Sequence, residues 1–294
     1  MEEKLSLQQW ICMAEVNNQD LIEFCLDDQA AQMGLSAEEL LRRMQSMVAV
    51  MRDSVSNGLA GERSKGGLVG GDALKLQTYY SAHPERSIVG PIVRQAITMA
   101  LAVGEANASM GRIVAAPTAG ASGVLPAILF SLAELRKLED DELAKGLLVA
   151  GAIGMVIASR ATLSGAAGGC QAECGSAAAM GAGAAVALCG GTPAQVGHAA
   201  AIALKNLLGL VCDPVAGLVE VPCVKRNAGA AAQALTAAEM ALAGIESAIP
   251  VDEVFDAMAS IGGSMHCSLR ETAQGGLAVT PTGLAWAGKL FGNS

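Results

Sequence analysis

Three cysteines lie in segments whose composition predicts turns. Cys170 lies within residues 168–175, which read GGCQAECG. Cys212 and Cys223 are the first and last residues of segment 212–223, which reads CDPVAGLVEVPC. A cysteine within an apolar helix usually fills space, whereas a thiolate on a glycine- and proline-rich turn is placed to bind something. Three such ligands, rather than four, indicate a metal centre with one open position. The sequence therefore predicts an enzyme.

The spacing of these cysteines disfavours the common structural metal sites. The separations are 42 residues (170 to 212) and 11 residues (212 to 223), and no Cys-x-x-Cys pair occurs, which disfavours a structural zinc site. The tight four-cysteine runs of ferredoxins are absent as well. Three dispersed cysteines leave one metal position for substrate or water. A zinc hydrolase with two cysteines and one histidine is the alternative; the histidines are His83, His198 and His266.

The other cysteines have different contexts. Cys12, Cys25 and Cys189 lie in apolar or helical segments, and we expect them to be buried small side chains. Cys174 follows the first of the three candidate ligands by four residues, so both can face the same side of a helix, which makes it a reserve ligand. Cys267 is a similar case.

Two further segments are suited to bind an anion. Residues 115–123 read AAPTAGASG and precede an apolar run at 124–135. A Gly/Ser/Thr loop that opens a helix offers N–H and hydroxyl groups to a carboxylate at the positive end of the helix dipole; a plain tight turn is the other interpretation. Residues 270–276 read RETAQGG, and Arg270 is a second candidate ligand for a carboxylate.

Pyridoxal phosphate chemistry has no support in the sequence. It needs a Schiff-base lysine supported by a phosphate-binding loop. Lys65, Lys75 and Lys205 are the candidates, and none lies in such a context. No glycine motif for phosphates or dinucleotides follows a predicted strand.

The elements that must position these residues are predicted to be helices. Hydrophobic residues make up 52% of the chain but aromatic residues only 3%, and 35 residues are glycine. A core of small side chains lets helices approach closely, which predicts an all-α fold: a compact bundle of buried Ala/Gly-rich helices with functional loops. We expect one domain over 1–294, with an N-terminal helical region at 1–56 and the cluster- and substrate-binding body at 57–294.

Helical periodicity and capping signals place several helices. They are expected at residues 91–107, 140–159, 228–243 and 251–261. Capping boxes are expected at Ser36–Glu39 and Thr192–Gln195, the second with proline at the first helical position. Asn57-Gly58 is a turn dipeptide that should end the helix beginning at the Ser36–Glu39 box and begin a glycine-rich connector or lid at 57–71. No segment has a strand pattern.

Charge and hydropathy exclude other classes of function. The net charge is −9, and without a basic patch nucleic acid is not an expected partner. The apolar run at 146–159 is too short to span a bilayer comfortably, so we expect no membrane partner. The N-terminus, MEEK, lacks the pattern of a signal peptide, which favours the cytoplasm and reduced cysteines.

Five segments resemble the α chain of bacterial iron–sulfur L-serine dehydratase. They are residues 117–123 (PTAGASG), 169–173 (GCQAE), 210–217 (LVCDPVAG), 221–227 (VPCVKRN) and 270–278 (RETAQGGLA). These motifs lie within residues 110–283, and the two cysteines with their 11-residue step are highly specific.

The resemblance implies a [4Fe–4S] cluster held by Cys170, Cys212 and Cys223, with the fourth iron open. The family converts L-serine to pyruvate and ammonia without pyridoxal phosphate. The open iron is expected to act as a Lewis acid on the serine hydroxyl while a base removes the Cα proton. That base is unassigned: a lysine or histidine of this chain, or a group from a partner.

The resemblance also implies a substrate site and a partner. Thr118, Ser122 and the amides around Gly120 are expected to bind the carboxylate of L-serine, with Asn227 and Arg270 as nearby candidates. Some members of the family are single chains with a β-type domain that carries a Ser-Ser-His-Thr-like loop. This sequence lacks that loop, so we expect a separate β chain.

Two departures from this function stay open. A cysteine desulfidase on the same scaffold would differ in substrate and not in cluster. A non-catalytic iron–sulfur sensor or assembly subunit would carry a cluster without turnover. Some single-chain relatives end in a cysteine near the cluster, whereas this sequence ends in FGNS, so occupation of the open iron by the chain's own end is not expected.

Overall fold

The computed structural model describes residues 4–292, and within them the chain forms thirteen α-helices and no strand. The predicted all-α fold is therefore confirmed. Residues 1–3 and 293–294, on which the expectations about an export signal and the chain end partly depend, lie outside the described residues. The helices are α1 (Leu7–Val16), α2 (Leu21–Met33), α3 (Ala37–Leu59), α4 (Asp72–Ala82), α5 (Pro91–Ala108), α6 (Val124–Arg136), α7 (Asp140–Arg160), α8 (Gly165–Gly168), α9 (Ser176–Leu188), α10 (Pro193–Lys205), α11 (Cys223–Leu242), α12 (Val251–Ser264) and α13 (Pro281–Phe291).

The centre of the fold is α9, which is buried along almost its whole length. It packs against α6, α7, α10 and α11. Its glycines allow this close packing: a Cβ at Gly181 would lie 2.2 Å from Ile128 Cδ1, and one at Gly183 would lie 2.3 Å from Ile153 Cδ1. Small residues thus bring the helix backbones together, as the composition predicts.

The capping signals are partly confirmed. Thr192 and Gln195 form the complete box at the start of α10. The Ser36 hydroxyl accepts the N–H of Glu39 at 3.1 Å, but the Glu39 carboxylate pairs with Arg42 and Arg43 instead of returning to Ser36. That box is therefore half formed.

The prediction that α3 ends at Asn57-Gly58 is confirmed to within one residue, because the helix ends at Leu59 and both residues are still helical. Gly58 is needed there for packing: a Cβ would lie 1.8 Å from the carbonyl oxygen of Ala102 in α5. The glycine-rich segment that follows is anchored to the fold. The Ser64 hydroxyl donates to Glu220 at 2.6 Å, and the buried Glu105 carboxylate accepts three backbone N–H groups at the start of α4.

Two helical stretches, Ala119–Arg136 and Asp140–Arg160, are long and apolar enough to cross a membrane by length and composition alone. Two-thirds of each stretch (67%) is buried inside the fold. Their hydropathy is therefore accounted for by their positions in the core.

Candidate metal and substrate site

Cys170 lies on a turn that several buried contacts hold in place. Gly169 before it has a φ of +77°, a conformation that favours glycine. A π-helical turn, Gln171–Gly175, follows it, and such turns are frequent at functional sites. The fully buried Gln171 amide donates to the carbonyls of Gly168 and Met258 and accepts the N–H of Gly209. The sequence alone assigned Gln171 no role.

Cys212 and Cys223 are positioned by different elements. Cys212 is extended and pairs with residues 269–271: its N–H donates to Leu269 O at 2.8 Å, and its carbonyl accepts the N–H of Glu271 at 2.7 Å. Cys223 is the first residue of α11. The positive end of the helix dipole at that position favours a thiolate, but burial outweighs this effect and raises the pKa of Cys223.

The three thiols are buried and lie close enough to affect one another. Their exposed fractions are 2% for Cys170, 3% for Cys212 and 8% for Cys223. A hydrogen bond from Cys174 and the nearby guanidinium of Arg226 lower the pKa of Cys170 despite its burial. Burial and the charge of Cys170 raise the pKa of Cys223 to about 12 and that of Cys212 still further. Three segments thus meet at one thiol-rich site.

A buried ion pair supports this site. Arg226 donates to Asp213 at 2.8 Å and to the carbonyl of Val211 at 2.7 Å, and Asp213, 3% exposed, also accepts the N–H of Leu277. The pair joins α11 to the segment that carries Cys212. The sequence analysis assigned no role to either residue. A charged residue near a candidate ligand in an apolar chain is nevertheless a signal that could have identified both.

Four of the five predicted substrate-binding residues are brought together. Asn227, 2% exposed, accepts the N–H of Gly123 at 2.8 Å and donates to the carbonyls of Gly120 and Cys223 at 2.7 and 2.9 Å. Its amide is thus used to join the loop at 117–123 to α11. Ser122 is buried and donates to Ala119 O. Direct contact of these two side chains with substrate stays a prediction.

Arg270 is held by a different segment from that loop. It is the bridge partner of Cys212, and its guanidinium donates to the carbonyl of Ala167 at 3.4 Å. No hydrogen bond between Arg270 and the loop is formed within residues 4–292. Its role as a carboxylate ligand stays a prediction.

Glu173 is the residue between the loop and the thiols. Its carboxylate accepts a hydrogen bond from the Thr118 hydroxyl at 2.6 Å and lies 3.9 Å from the Cys212 sulfur. Burial raises the pKa of Glu173, and the hydrogen bond from Thr118 opposes that shift. No sequence pattern assigns a role to this residue, because only the fold brings position 173 beside position 118.

Of the other cysteines, Cys174 lies beside the three candidate ligands, and its place as a reserve ligand stays a prediction. Cys174 donates its thiol hydrogen bond to Cys170, which raises the pKa of Cys174. Cys25 is buried as expected, but Cys12 is exposed and Cys189 only half-buried, so the expectation for those two is wrong. His198 accepts the N–H of Ser247, and His266 bonds to Ser268.

The fit of an iron–sulfur cluster to this site depends on the burial of the three thiols and on their separate turns. No group of three or more His, Cys, Asp or Glu side chains in the described part of the chain is arranged to hold a single metal ion. Ligands of an iron–sulfur cluster bind separate irons, so that their sulfurs surround a larger group. Three buried thiols from separate turns, without disulfides, match that requirement.

A cavity of about 540 Å³ adjoins the loop at Ala119. Leu218 and Val219, between the second and third cysteines, line it, and Phe291 of α13 lies at its edge. Open space is therefore present next to the loop. A second cavity, of about 590 Å³, lies between α5, α6 and α11, and none of the three candidate cysteines lines it.

Comparisons with known proteins agree with this architecture. The sequence model of the family described as "Serine dehydratase alpha chain" matches residues 9–278. The chain is 53% identical over 257 residues to the probable L-serine dehydratase, alpha chain, of Bacillus subtilis (strain 168), which covers 87% of this chain and 85% of the relative. It is 44% identical over 264 residues to the L-serine dehydratase, alpha chain, of Peptoniphilus asaccharolyticus, which covers 90% of each.

A longer relative shows where the similarity lies. L-serine dehydratase 2 of Escherichia coli (strain K12) is 42% identical over 249 residues, which are 83% of this chain but 55% of the relative. The matched family region, residues 9–278, contains all three candidate cysteines and the loop that adjoins them. By sequence and by the extent of the match, this chain belongs to the serine dehydratase alpha chain family.

Proposed function

We propose that this chain is the α chain of an L-serine dehydratase, a lyase that converts L-serine to pyruvate and ammonia. The observation that carries the proposal is the meeting of Cys170, Cys212 and Cys223 in one buried site beside the loop at 117–123. The names of the relatives support the same reaction.

The cofactor of the proposed enzyme is a [4Fe–4S] cluster, and pyridoxal phosphate is not required. Cys170, Cys212 and Cys223 would hold the cluster. When bound, it would supply an iron without a protein ligand as a Lewis acid for the serine hydroxyl. The Arg226–Asp213 pair holds the segments of Cys212 and Cys223 together. Gln171 holds the turn that carries Cys170 in place.

The polypeptide's own part in the reaction is to bind and orient L-serine. The loop at 117–123 leads into α6, so its backbone amides lie at the positive end of that helix and suit the substrate carboxylate. Thr118, Gly120 and Ser122 are the proposed binding residues, with Arg270 approaching from the Cys212 side. Asn227 holds the loop against α11.

The proton balance of the reaction is simple. A base removes the proton from Cα, the hydroxyl group leaves as water after protonation, and aminoacrylate tautomerises and is hydrolysed to pyruvate and ammonia. The base is unassigned in this chain. We also propose a separate β chain as partner, either to supply that base or to regulate the site. The proposed location of the enzyme is the cytoplasm.

The test is anaerobic co-production with a candidate β chain, followed by measurement of iron per chain and of keto acid formed from L-serine. We expect a brown protein that forms pyruvate and loses activity in air. Serine and cysteine are compared as substrates, because a desulfidase would prefer cysteine. A colourless preparation with full activity, or an iron-loaded complex without turnover, would contradict the proposal.

Cysteine variants sharpen this test. Replacement of Cys170, Cys212 or Cys223 by serine is expected to abolish iron retention, because each removes one of three ligands. The control is Cys25→Ser, a cysteine that is equally buried but outside the site; it should cost packing energy only. Equal loss of iron in all four variants would contradict the assignment of ligands.

A further inference from the structure

The carboxylate of Glu173 has no cationic partner. None of the ion pairs formed within residues 4–292 includes it, although it is only partly accessible to water. A carboxylate in such a place is costly unless it is paired or hydrogen-bonded. The side chains that donate hydrogen bonds to it are the Thr118 hydroxyl and the Cys212 thiol. An ionised carboxylate has about four acceptor positions, so capacity is left for a ligand.

Two glycines let the backbone pack closely against this carboxylate on two sides. A Cβ at Gly120 would lie 2.9 Å from Glu173 Oε1, and a Cβ at Gly165 would lie 2.5 Å from Glu173 Oε2. Any larger residue at either position would press on the carboxylate. Glu173 therefore lies directly against the loop that is suited to bind a substrate carboxylate.

The surroundings of Glu173 are anionic. Glu271 lies near enough for its charge to act on Glu173, and Glu173 in turn acts on the thiols of Cys212 and Cys223. The guanidinium of Arg226 is engaged by Asp213 and Cys170, and that of Arg270 donates to the carbonyl of Ala167. The charge that would complement this region is positive.

We propose that the carboxylate of Glu173 binds the α-ammonium group of the amino-acid substrate. This inference rests on the proposed function and deepens it. An amino acid carries a carboxylate and an ammonium group on one carbon, and the loop at 117–123 and Glu173 offer the two complementary groups side by side. Glu173 would thus select amino acids over hydroxy acids of the same shape.

The experiment compares L-serine with L-glycerate, which has a hydroxyl group in place of the ammonium group. In the holoenzyme with its β chain, the KM for L-serine and the inhibition constant of L-glycerate are measured for the wild type and for Glu173→Gln. Equilibrium dialysis with both labelled ligands replaces kinetics if the variant does not turn over. Iron per chain is measured in every sample. Glu271→Gln is the matched control, because it removes the same charge nearby from an exposed side chain.

We expect Glu173→Gln to weaken L-serine binding by about 10- to 100-fold, the effect of a charge-assisted hydrogen bond. Binding of L-glycerate should be unchanged or tighter, and iron content should be unchanged. Glu271→Gln should keep the wild-type preference for serine over glycerate. The ratio between the two ligands is the decisive reading, because damage to the loop lowers the affinity for both.

Thr118→Val separates recognition from positioning. If Glu173 only held Thr118, both variants would weaken serine and glycerate by the same factor, and the proposal would be overturned. Loss of iron from Glu173→Gln, or an unchanged preference for serine, would overturn it as well. A wild-type holoenzyme that forms no pyruvate from L-serine would instead refute the proposed function itself.

Discussion

Asn227 is the residue through which the fold of the site is best tested. Its side-chain amide makes three hydrogen bonds: those to Gly123 and Cys223 are buried, and the one to Gly120 is partly buried. Each such bond contributes about 1 kcal/mol net, so Asn227→Ala should lower the free energy of unfolding by about 3 kcal/mol. Because the same bonds hold the loop against the first turn of α11, iron retention and the KM for L-serine should deteriorate together.

An isosteric change tests the direction of these bonds. Asn227→Asp keeps an acceptor for the N–H of Gly123, but it places an oxygen against the carbonyls of Gly120 and Cys223. The loss of two donors and the repulsion that replaces them should make this variant at least as destabilised as Asn227→Ala. The assay is urea unfolding followed by circular dichroism, with iron per chain measured on anaerobic samples.

The control for both variants is Asn206→Ala. Asn206 is exposed, and its side chain makes no hydrogen bond within the described part of the chain. This change should leave the urea midpoint and the iron content near wild type. The reasoning is refuted if Asn227→Ala matches Asn206→Ala in both measurements, since the three bonds would then contribute nothing to stability or to the site.

Two further predictions concern packing and pH. Gly58→Ala should lower the free energy of unfolding by about 1–3 kcal/mol or more, because its Cβ would meet the backbone of Ala102. Gly229→Ala, the control at an exposed helix position with open space, should raise the urea midpoint slightly. Equal urea midpoints for the two variants would contradict this prediction. Burial alone raises the pKa of Asp256, but hydrogen bonds from Arg160 and Lys4 outweigh it and hold the pKa below the ordinary value of 3.8. The stabilisation of the fold by ionised Asp256 is therefore full above pH 3.8 and is lost on acidification. The difference in Tm between wild type and Asp256→Asn should shrink from about pH 7 to about pH 3. A constant difference in Tm would contradict the role given to these hydrogen bonds.

Local signals predicted the helices well. The expected helices at 91–107 and 140–159 correspond to α5 (Pro91–Ala108) and α7 (Asp140–Arg160). Both begin with signals that act within one turn: a proline at the first position of α5, and acidic residues in the first turn of α7. Such signals are readable in a sequence because the residues that interact are neighbours in it.

The errors have the opposite cause. The helix expected at 228–243 begins five residues earlier, at Cys223, directly after a proline. The packing role of Gly58 was overlooked because its partner, Ala102, lies 44 positions away in the sequence (102 − 58). Glu173 and Arg226 were overlooked for the same reason: their roles arise from contacts that only the folded chain creates.

The geometry of the site depends on how two helices pack. α9 follows directly after the turn that carries Cys170, and α11 begins at Cys223 and carries Arg226 and Asn227 in its first turns. These two helices pack against each other, and their contact surfaces consist largely of alanine and glycine. Side chains this small have no rotamers that could absorb a shift between the helices. The axial register of α9 against α11 therefore fixes the distance between Cys170 and Cys223, and with it the position of the loop that Asn227 holds.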